Sequence, residues 1–477
     1  MQALDTGVRR CDGSFGISPY LMKLVSYFRG EAFQRGVHPP SCKLTAERRI
    51  RRLPFPDRVT VPLSQHIGKT PRPIVRVGQE VVRGQPIARS DEWLSVPHHA
   101  PLSGVVEFIG LRPGMRGTWV ESIVIRAHPG ATQEDLWGQP RDLSQATGQD
   151  ILQAIWDSGM VGLGGAAFPT HAKLSVPKQA RVHTLVVNGC ECEPYLTCDH
   201  RVMVEHAADL IAGIRYAMRA TGAVRTIIGV EDNKPDAVLV LRQAIAEAQA
   251  AGVAEEIHVE AVPTKYPQGA EKMLITALFG AEMPAGGLPI ALGMVVSNVG
   301  TLAALGRLLP AGQGLTERVV TVTGSGVARP GDYRVILGTP LKFVLDYAGV
   351  PAVDALDARQ VILGGPMMGQ AIASLDVPIT KGVSGVLVFR REDMQEREAR
   401  QTYPCIKCGE CVESCPMGLN PSTLGMLAAK REYELMGEQY YLGDCFECGC
   451  CTYVCPSNIP LVQQFRVAKQ ILREKAA

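Results

Sequence analysis

No uninterrupted apolar run of about 18 residues occurs in the 477-residue chain, so no helix is expected to span a bilayer. Neither charge dominates. Forty-nine Lys and Arg face 47 Asp and Glu, a net charge of +2, which excludes a protein that coats nucleic acid generally. Arg9, Arg10 and Asp12 stand early in the first thirty residues, with no cleavage pattern behind an apolar core, so a secretory signal is not expected. What is present suits a globular chain: 46% apolar and 20% charged residues, with a length that implies about three domains. The 49 glycines and 33 prolines promise many loops.

Cysteine is plentiful, with 14 in the chain. A disulfide scaffold would be short and secreted, so clustered thiols here point to metal ligation. Cys405, Cys408, Cys411 and Cys415 precede Pro416, and Cys445, Cys448, Cys451 and Cys455 precede Pro456. This is a duplicated C-x2-C-x2-C-x3-C-P run, as in two-cluster bacterial ferredoxins, where the fourth cysteine ligates the other cluster. The spacing therefore assigns Cys405, Cys408, Cys411 and Cys455 to one [4Fe–4S] cluster. Cys445, Cys448, Cys451 and Cys415 go to the second. Zinc would favour two separated C-x2-C pairs, which is not the pattern here. Cys450 is a spare, buried thiol. Leu424, Leu427, Ala428 and Leu435 predict a helix over 421–442 and a largely helical cluster module.

Residues 43–89 hold eleven Lys or Arg against three Asp or Glu. They read as a solvated basic face or as a docking surface for an acidic partner or lipid headgroups. His38-Pro39-Pro40 reads as a stiff extended element. Short strands and glycine turns over 59–127 look like a biotinyl/lipoyl barrel-sandwich. No lysine lies between Lys69 and Lys173, so this unit is expected to be a scaffold and not a swinging carrier arm. His98 and His99 could be ligands or simply solvated.

Strand and helix patterns alternate over 151–305: strands at 184–187, 226–230 and 257–262, helices at 202–220, 236–251 and 271–279. Such alternation predicts a mostly parallel sheet with its ligands at the strand C-termini. Polar or glycine loops fall there. Gly162, Gly164, Gly165 and Phe168, followed by Lys173, could cradle a phosphate or ring, or merely turn the chain. Asn188, Glu191 and Glu193 could hold a cofactor edge, or form a polar loop. The loops at 229–234, 265–271 and 297–301 complete the set. Cys190, Cys192 and Cys198 read as small buried thiols or as a third metal site. Residues 316–388 read as a small β-rich unit with glycine loops at 338–340 and 364–369. A charge-dense helix or linker is expected at 389–400.

Taken together, Gly36 to Pro40, Gly164 to Lys173, Asn188 to Met203, Tyr266 to Glu271, Asn298 to Leu302, Gly364 to Gly369 and both cysteine runs resemble the RnfC family, a component of the Rnf complex. That complex is a membrane-bound ferredoxin:NAD oxidoreductase. The glycine loop is also similar to the G-x-G-G-x-x-F-P-T-x-x-K loop of the flavin- and NADH-binding subunit of respiratory complex I. Ser175 and Val176 stand where that loop continues with an aromatic residue. The resemblance implies a multidomain α/β protein. Its parts are an N-terminal segment (1–42), a barrel-sandwich domain (43–128), a Rossmann-like FMN/NADH domain (129–315), a β-grasp domain (316–388) and a helical two-cluster ferredoxin domain (389–477). It implies non-covalent FMN, NAD(H) as substrate and two [4Fe–4S] clusters. Gly162, Gly164, Gly165 and Lys173 would line the flavin and its phosphate. Asn188, Glu191 and Glu193 would flank ring and ribityl chain. Tyr266, Glu271, Asn298 and Thr301 would complete the pocket, and Phe168 would face the nicotinamide.

The activity expected is electron transfer between NAD(H) and one-electron carriers, with no catalytic side chain beyond the cofactors. The expected partners are the other subunits of a membrane Rnf-type complex, including a ferredoxin-like iron–sulfur subunit. Ferredoxin or flavodoxin would act indirectly, and no nucleic acid is involved. The expected place is the cytoplasmic side of the bacterial inner membrane, held peripherally, with 43–89 and 461–475 as docking faces. A soluble corrinoid reductase of microcompartment type and a non-catalytic electron-wire protein are the competing readings.

Overall fold

The computed structural model describes residues 33–115, 117–350, 359–390 and 401–476. The N-terminal segment before residue 33 lies outside them, as does most of the helix or linker expected at 389–400; Phe389 and Arg390 end a β-strand instead. Four units follow one another. The first begins with β1 (Arg51–Arg52), β2 (Arg58–Pro62), β3 (Arg72–Pro73), β4 (Glu80–Val81), β5 (Pro86–Arg89), β6 (His98–His99), β7 (Gly104–Pro113) and β8 (Trp119–Ala127). Two antiparallel sheets, β2-β8-β7-β4 and β3-β5-β6, close over Val59, Val61, Ile87, Leu102, Ile123 and Ile125. Alternate residues of β2 and β8 supply that core, the period-2 pattern of a half-buried strand.

The second unit carries α1 (Gly148–Asp157), α2 (Thr170–Leu174), β9 (Thr184–Gly189), α3 (Cys198–Glu205), α4 (Ala207–Thr221), β10 (Arg225–Glu231), α5 (Pro235–Ala250), β11 (Glu256–Val262), α6 (Glu271–Phe279), β12 (Met294–Asn298) and α7 (Val299–Ala311). Its sheet runs β11-β10-β9-β12 and is parallel throughout. The C-terminal ends of all four strands therefore open on one side. Where one helix was expected over 202–220, two form, parted at His206. Thr147 starts α1 with a reciprocal cap: its hydroxyl accepts from Asp150 N, and the Asp150 carboxylate accepts from Thr147 N. Helices α4 and α7 lie almost in backbone contact. A Cβ at Gly213 would stand 1.8 Å from Leu302 O, and one at Gly306 would stand 1.8 Å from Asp209 O. Only glycine allows that approach, which fixes where the N-terminus of α7 sits relative to the strand ends.

In the third unit β13 (Glu317–Thr323), β14 (Gly331–Ile336), α8 (Leu341–Tyr347), β15 (Arg359–Leu363), β16 (Gln370–Ala371) and β17 (Gly385–Arg390) follow. The sheet order is β1-β14-β13-β17-β15-β16, so Arg51 and Arg52 add a parallel edge strand from far upstream. The fourth unit is α9 (Glu410–Glu413), α10 (Pro421–Ala429), α11 (Tyr433–Glu438), α12 (Cys450–Tyr453) and α13 (Leu461–Ala476). The single helix expected over 421–442 breaks after Ala429, where Arg431 takes φ 61°. Leu461, Phe465 and Ala468 of α13 pack on Leu424, Met436 and Leu442, so this helix closes the module's core. No described helix is long and apolar enough to cross a membrane.

Candidate cofactor site

The loop from Gly162 to Pro169 joins α1 to α2 beside the open strand ends. It closes on itself: Gly162 N donates to Phe168 O at 2.8 Å, and Val161 bridges Pro169. Gly164, Gly165 and Ala166 are exposed, and Phe168 is half-buried at the rim. Gly165 adopts φ +113°, and a Cβ there would meet nothing within 4 Å, so the loop's outer side is free for a group to approach. The Thr301 hydroxyl accepts from Leu163 N at 2.9 Å and ties the loop to α7. Asn298 caps that helix by accepting from Thr301 N at 3.2 Å, while its amide donates to Asp199 at 2.7 Å. The Lys173 ammonium pairs with Glu271 at the start of α6, and both are only partly buried. Three buried side chains of these segments carry polar atoms without a partner among the described residues: the Thr170 hydroxyl, His171 Nδ1 and both amide atoms of the fully buried Gln268. Buried polar atoms are rarely left so unless something binds them. An open glycine loop, a lysine and orphaned polar groups beside it fit a phosphate-bearing cofactor. Gln268 falls in the 265–271 loop, yet the sequence alone does not single it out, because its burial depends on the tertiary fold.

The acidic loop after β9 differs from expectation. Glu191 and Glu193, expected to flank a ring, spend their carboxylates on backbone amides. Glu191 accepts from Asp199 N at 3.0 Å and His200 N at 3.1 Å, capping α3. Glu193 accepts from Met367 N at 3.0 Å and Met368 N at 2.8 Å, in the third unit's glycine loop. Burial pushes the Glu193 carboxyl up to about 7, against those two amides and Lys43. The buried ammonium of Lys43 fixes the loop's path by donating to the carbonyls of Glu191, Glu193 and Leu196 at 2.6–2.8 Å. Burial and Glu191 raise the Asp199 carboxyl too, opposed by the Asn298 amide. Asn188 is also engaged: its amide donates to Gly269 O at 2.7 Å and its oxygen accepts from Cys190 N at 3.0 Å. Cys190, Cys192 and Cys198 are enclosed thiols whose sulfurs hydrogen-bond Gly229 O, Gly269 N and Glu191 respectively.

The same region touches the cysteine module. Tyr266, 1% exposed, donates its hydroxyl to Cys448 O at 2.7 Å. Val37 pairs with Tyr266 through both backbone bonds, and Gly36 N donates to Ser414 O at 3.1 Å. The Gly36-Val37 element is therefore a wedge between second and fourth units. Cys192, Met367, Cys448, Cys450 and Val454 share one apolar cluster with Val37 and Tyr266. The thiols acting on Cys411 are Cys408, Cys455 and Cys405, whereas Cys445 feels Cys448 and Cys415, and Cys451 feels Cys448, Cys445 and Cys415. Cys405 and Cys408 are exposed; Cys415 and Cys451 are buried. No group of three or more His, Cys, Asp or Glu among the described residues is gathered as for a metal ion.

Most of the basic side chains of 43–89 are exposed, as a solvated face requires, and Arg83 is buried; several still reach partners. Arg52 and Arg83 bind the buried Glu317, Arg58 binds Glu107, and Arg48 and Arg51 donate to Pro330 O. His98 and His99 are buried and not solvated; burial and Lys381 push both rings down, His99 to about 3. A cleft of about 420 Å³ lies elsewhere, at the C-terminal end of α7, lined by Arg89, His99, Trp137 and Trp156. None of the strand-end loops reaches it.

Four protein-family models match in chain order: RnfC barrel sandwich hybrid domain (31–129), Nuo51 FMN-binding domain (155–307), SLBB domain (319–371) and 4Fe-4S dicluster domain (404–459). The C component of the proton-translocating ferredoxin:NAD(+) oxidoreductase complex of Clostridium ljungdahlii is 40% identical over 82% of this chain and 83% of its own length. The C component of the ion-translocating oxidoreductase complex of Rhodobacter capsulatus is 39% identical over 96% and 86%. For its counterpart from Edwardsiella ictaluri, at 38%, this chain spans only 49% of the relative's length. Among solved structures, an NAD+-reducing [NiFe]-hydrogenase is similar at 22% identity and a TM-score of 0.49, over 68% of this chain and 63% of that one. The chain belongs to the RnfC family of the ion-translocating ferredoxin:NAD(+) oxidoreductase (Rnf) complexes.

Proposed function

We propose that this chain is the NADH-, FMN- and iron–sulfur-bearing subunit of an ion-translocating ferredoxin:NAD oxidoreductase. It passes electrons between NAD(H) and one-electron carriers. The observation that carries this is the bond from Tyr266 to the Cys448 carbonyl, which joins the flavin-type unit directly to a thiol set. When bound, FMN accepts the electron pair of a hydride and releases it singly, and each cluster carries one electron. The chain supplies orientation. Gly162, Gly164 and Gly165 offer amides and clearance to the phosphate. Lys173 would add its charge once it leaves Glu271. Asn188, Tyr266, Glu271, Asn298 and Thr301 shape the pocket, and Phe168 presents a face to the nicotinamide. Glu191 acts through α3, and Glu193 through the loop at 364–369. Cys405, Cys408, Cys411 and Cys455 hold one cluster; Cys445, Cys448, Cys451 and Cys415 hold the other, with Cys450 outside both sets.

The parallel sheet of the second unit reads as Rossmann-like and the third unit as β-grasp, with domains at 43–128, 129–315, 316–388 and 389–477. The partners are the other subunits of the complex, one of them a ferredoxin-like iron–sulfur protein, with ferredoxin or flavodoxin further out. The chain sits peripherally on the cytoplasmic side of the membrane. The family assignment does not favour a corrinoid reductase. The test is anaerobic purification, FMN and iron quantification, then NADH titration followed by absorbance and EPR, with dithionite as control. Flavin bleaching with reduced cluster signals is expected. Iron without FMN or NADH response leaves an electron wire, and zinc in place of iron refutes the reading.

A further inference from the structure

Among the described residues of the third unit, Arg318 and Lys381 are buried cations whose hydrogen bonds all go to backbone carbonyls, with the Asp199 carboxylate acting on Arg318 through space. Arg318 on β13 is 5% exposed and Lys381 is 1% exposed. Arg318 donates to Leu163 O at 3.1 Å, to Val319 O at 3.3 Å and to Lys381 O. Lys381 donates to Gly159 O at 2.7 Å and to Pro97 O at 3.2 Å. Burying a cation without a bonded carboxylate is expensive. Both cations come from the third unit, and both seize carbonyls of the segment that forms the glycine loop. The neighbouring Gly382 lies against the same loop: a Cβ there would be 3.5 Å from Gly165 O and from Ala167 Cβ.

We infer that Arg318 and Lys381 are positioning residues through which the third unit turns the amides of the 162–165 loop toward the cofactor phosphate. The inference rests on the FMN reading above. A trans peptide places its C=O and the following N–H on opposite sides. With Leu163 O drawn inward to Arg318, Gly164 N–H points outward, where Gly164, Gly165 and Ala166 are exposed. Leu163 N is meanwhile taken by Thr301 from the second unit, so this residue is pinned from two units at once. Lys381 does the same at Gly159, just upstream. The Arg318 guanidinium and the Lys381 ammonium also place positive charge behind the loop, the sign a phosphate requires. Lys173, the cation visible in the sequence, is paired with Glu271 instead. The third unit would thus contribute to flavin binding without touching the flavin.

The experiment compares FMN with riboflavin, which lacks the phosphate. Flavin-depleted full-length protein is titrated with each by fluorescence, for the native chain and for Arg318→Met, Lys381→Met, Arg318→Lys and Lys381→Arg. The native chain should prefer FMN strongly. Each Met variant should reduce that preference by about tenfold or more, the scale of one hydrogen bond to a charged group. Riboflavin affinity and iron content should stay unchanged, and the conservative variants should recover part of the preference. A general folding defect would weaken both ligands alike. If the Met variants do not fold, the ratio in the Lys and Arg variants decides: a preference equal to that of the native chain in both overturns the inference. A native chain that binds neither flavin, or binds both equally, overturns the FMN-phosphate reading instead.

Discussion

Replacing Glu317 by Gln should loosen the joint between the first three units. The Glu317 side chain is 2% exposed and receives four arginines: Arg83 at 2.6 Å, Arg52 at 2.9 Å, and Arg307 and Arg334 at 3.3 Å each. Arg52 and Arg83 come from the first unit, Arg307 from α7, and Arg334 from β14 beside Glu317. Burial pushes the Glu317 carboxyl up, but Arg307, Arg52 and Arg83 outweigh it and hold it at about 2. The gap from an ordinary glutamate, near 4.3, is about 2 units, or about 3 kcal/mol. Because the folded value is depressed, that stability is present in full above pH ~4.5 and drains away as pH falls toward 2. The Gln variant also strands the buried Arg83 guanidinium, and breaking such a pair costs about 3–5 kcal/mol. The assay is a thermal melt of native and variant protein from pH 7 down to pH 3. At pH 7 the variant should melt about 3–7 °C lower. Below pH ~4.5 the two curves should draw steadily together toward pH 3, because the unfolded chain's Glu317 takes up a proton that the folded chain accepts only near pH 2. Equal melting at pH 7, or parallel acid slopes, would refute the reasoning.

Cys408→Ser and Cys451→Ser should each remove about half the iron while Cys450→Ala keeps it all, as iron and sulfide assays would show. Tyr266→Phe loses the hydroxyl bond to Cys448 O, worth about 1 kcal/mol. It should alter the EPR signal of the cluster held by Cys448 and leave the other unchanged; two unaltered signals would argue against this contact. Burial lowers Lys381 to about 7, so FMN affinity should fall as pH rises from 6 to 9, because binding must then recruit a proton. Lys381→Met should flatten that profile in the same fluorescence titration.

The two-cluster module was legible because its grammar is local: three thiols two residues apart, a fourth, a proline, all repeated. The βα alternation was legible for the same reason, and α6 falls at 271–279 as its apolar pattern predicts. The fates of Glu191 and Glu193 were not, because their partners are amides 8 and about 175 residues away in sequence. No periodicity announces an amide brought in from a third unit. The helix break at His206 escaped for a related reason, since apolar spacing continues across it while the Glu191 cap sets the start of α3. The exposure of most of the basic stretch was legible, but the pairing of Arg52 and Arg83 with Glu317 was not, because charge counts do not register a carboxylate more than two hundred residues downstream.

The two-residue strand β1 has a consequence for how the chain assembles. It covers the outer edge of β14, so the third unit's sheet is finished by residues made some 280 positions earlier. A bare edge is a template for pairing with another chain. The third unit on its own would therefore carry an open seam, and the barrel of the first unit together with the second unit behaves as an insertion between two parts of one sheet. Closing that seam requires a long-range contact, the kind that forms late. The pocket whose loop the third unit holds should then be among the last parts of the protein to become competent.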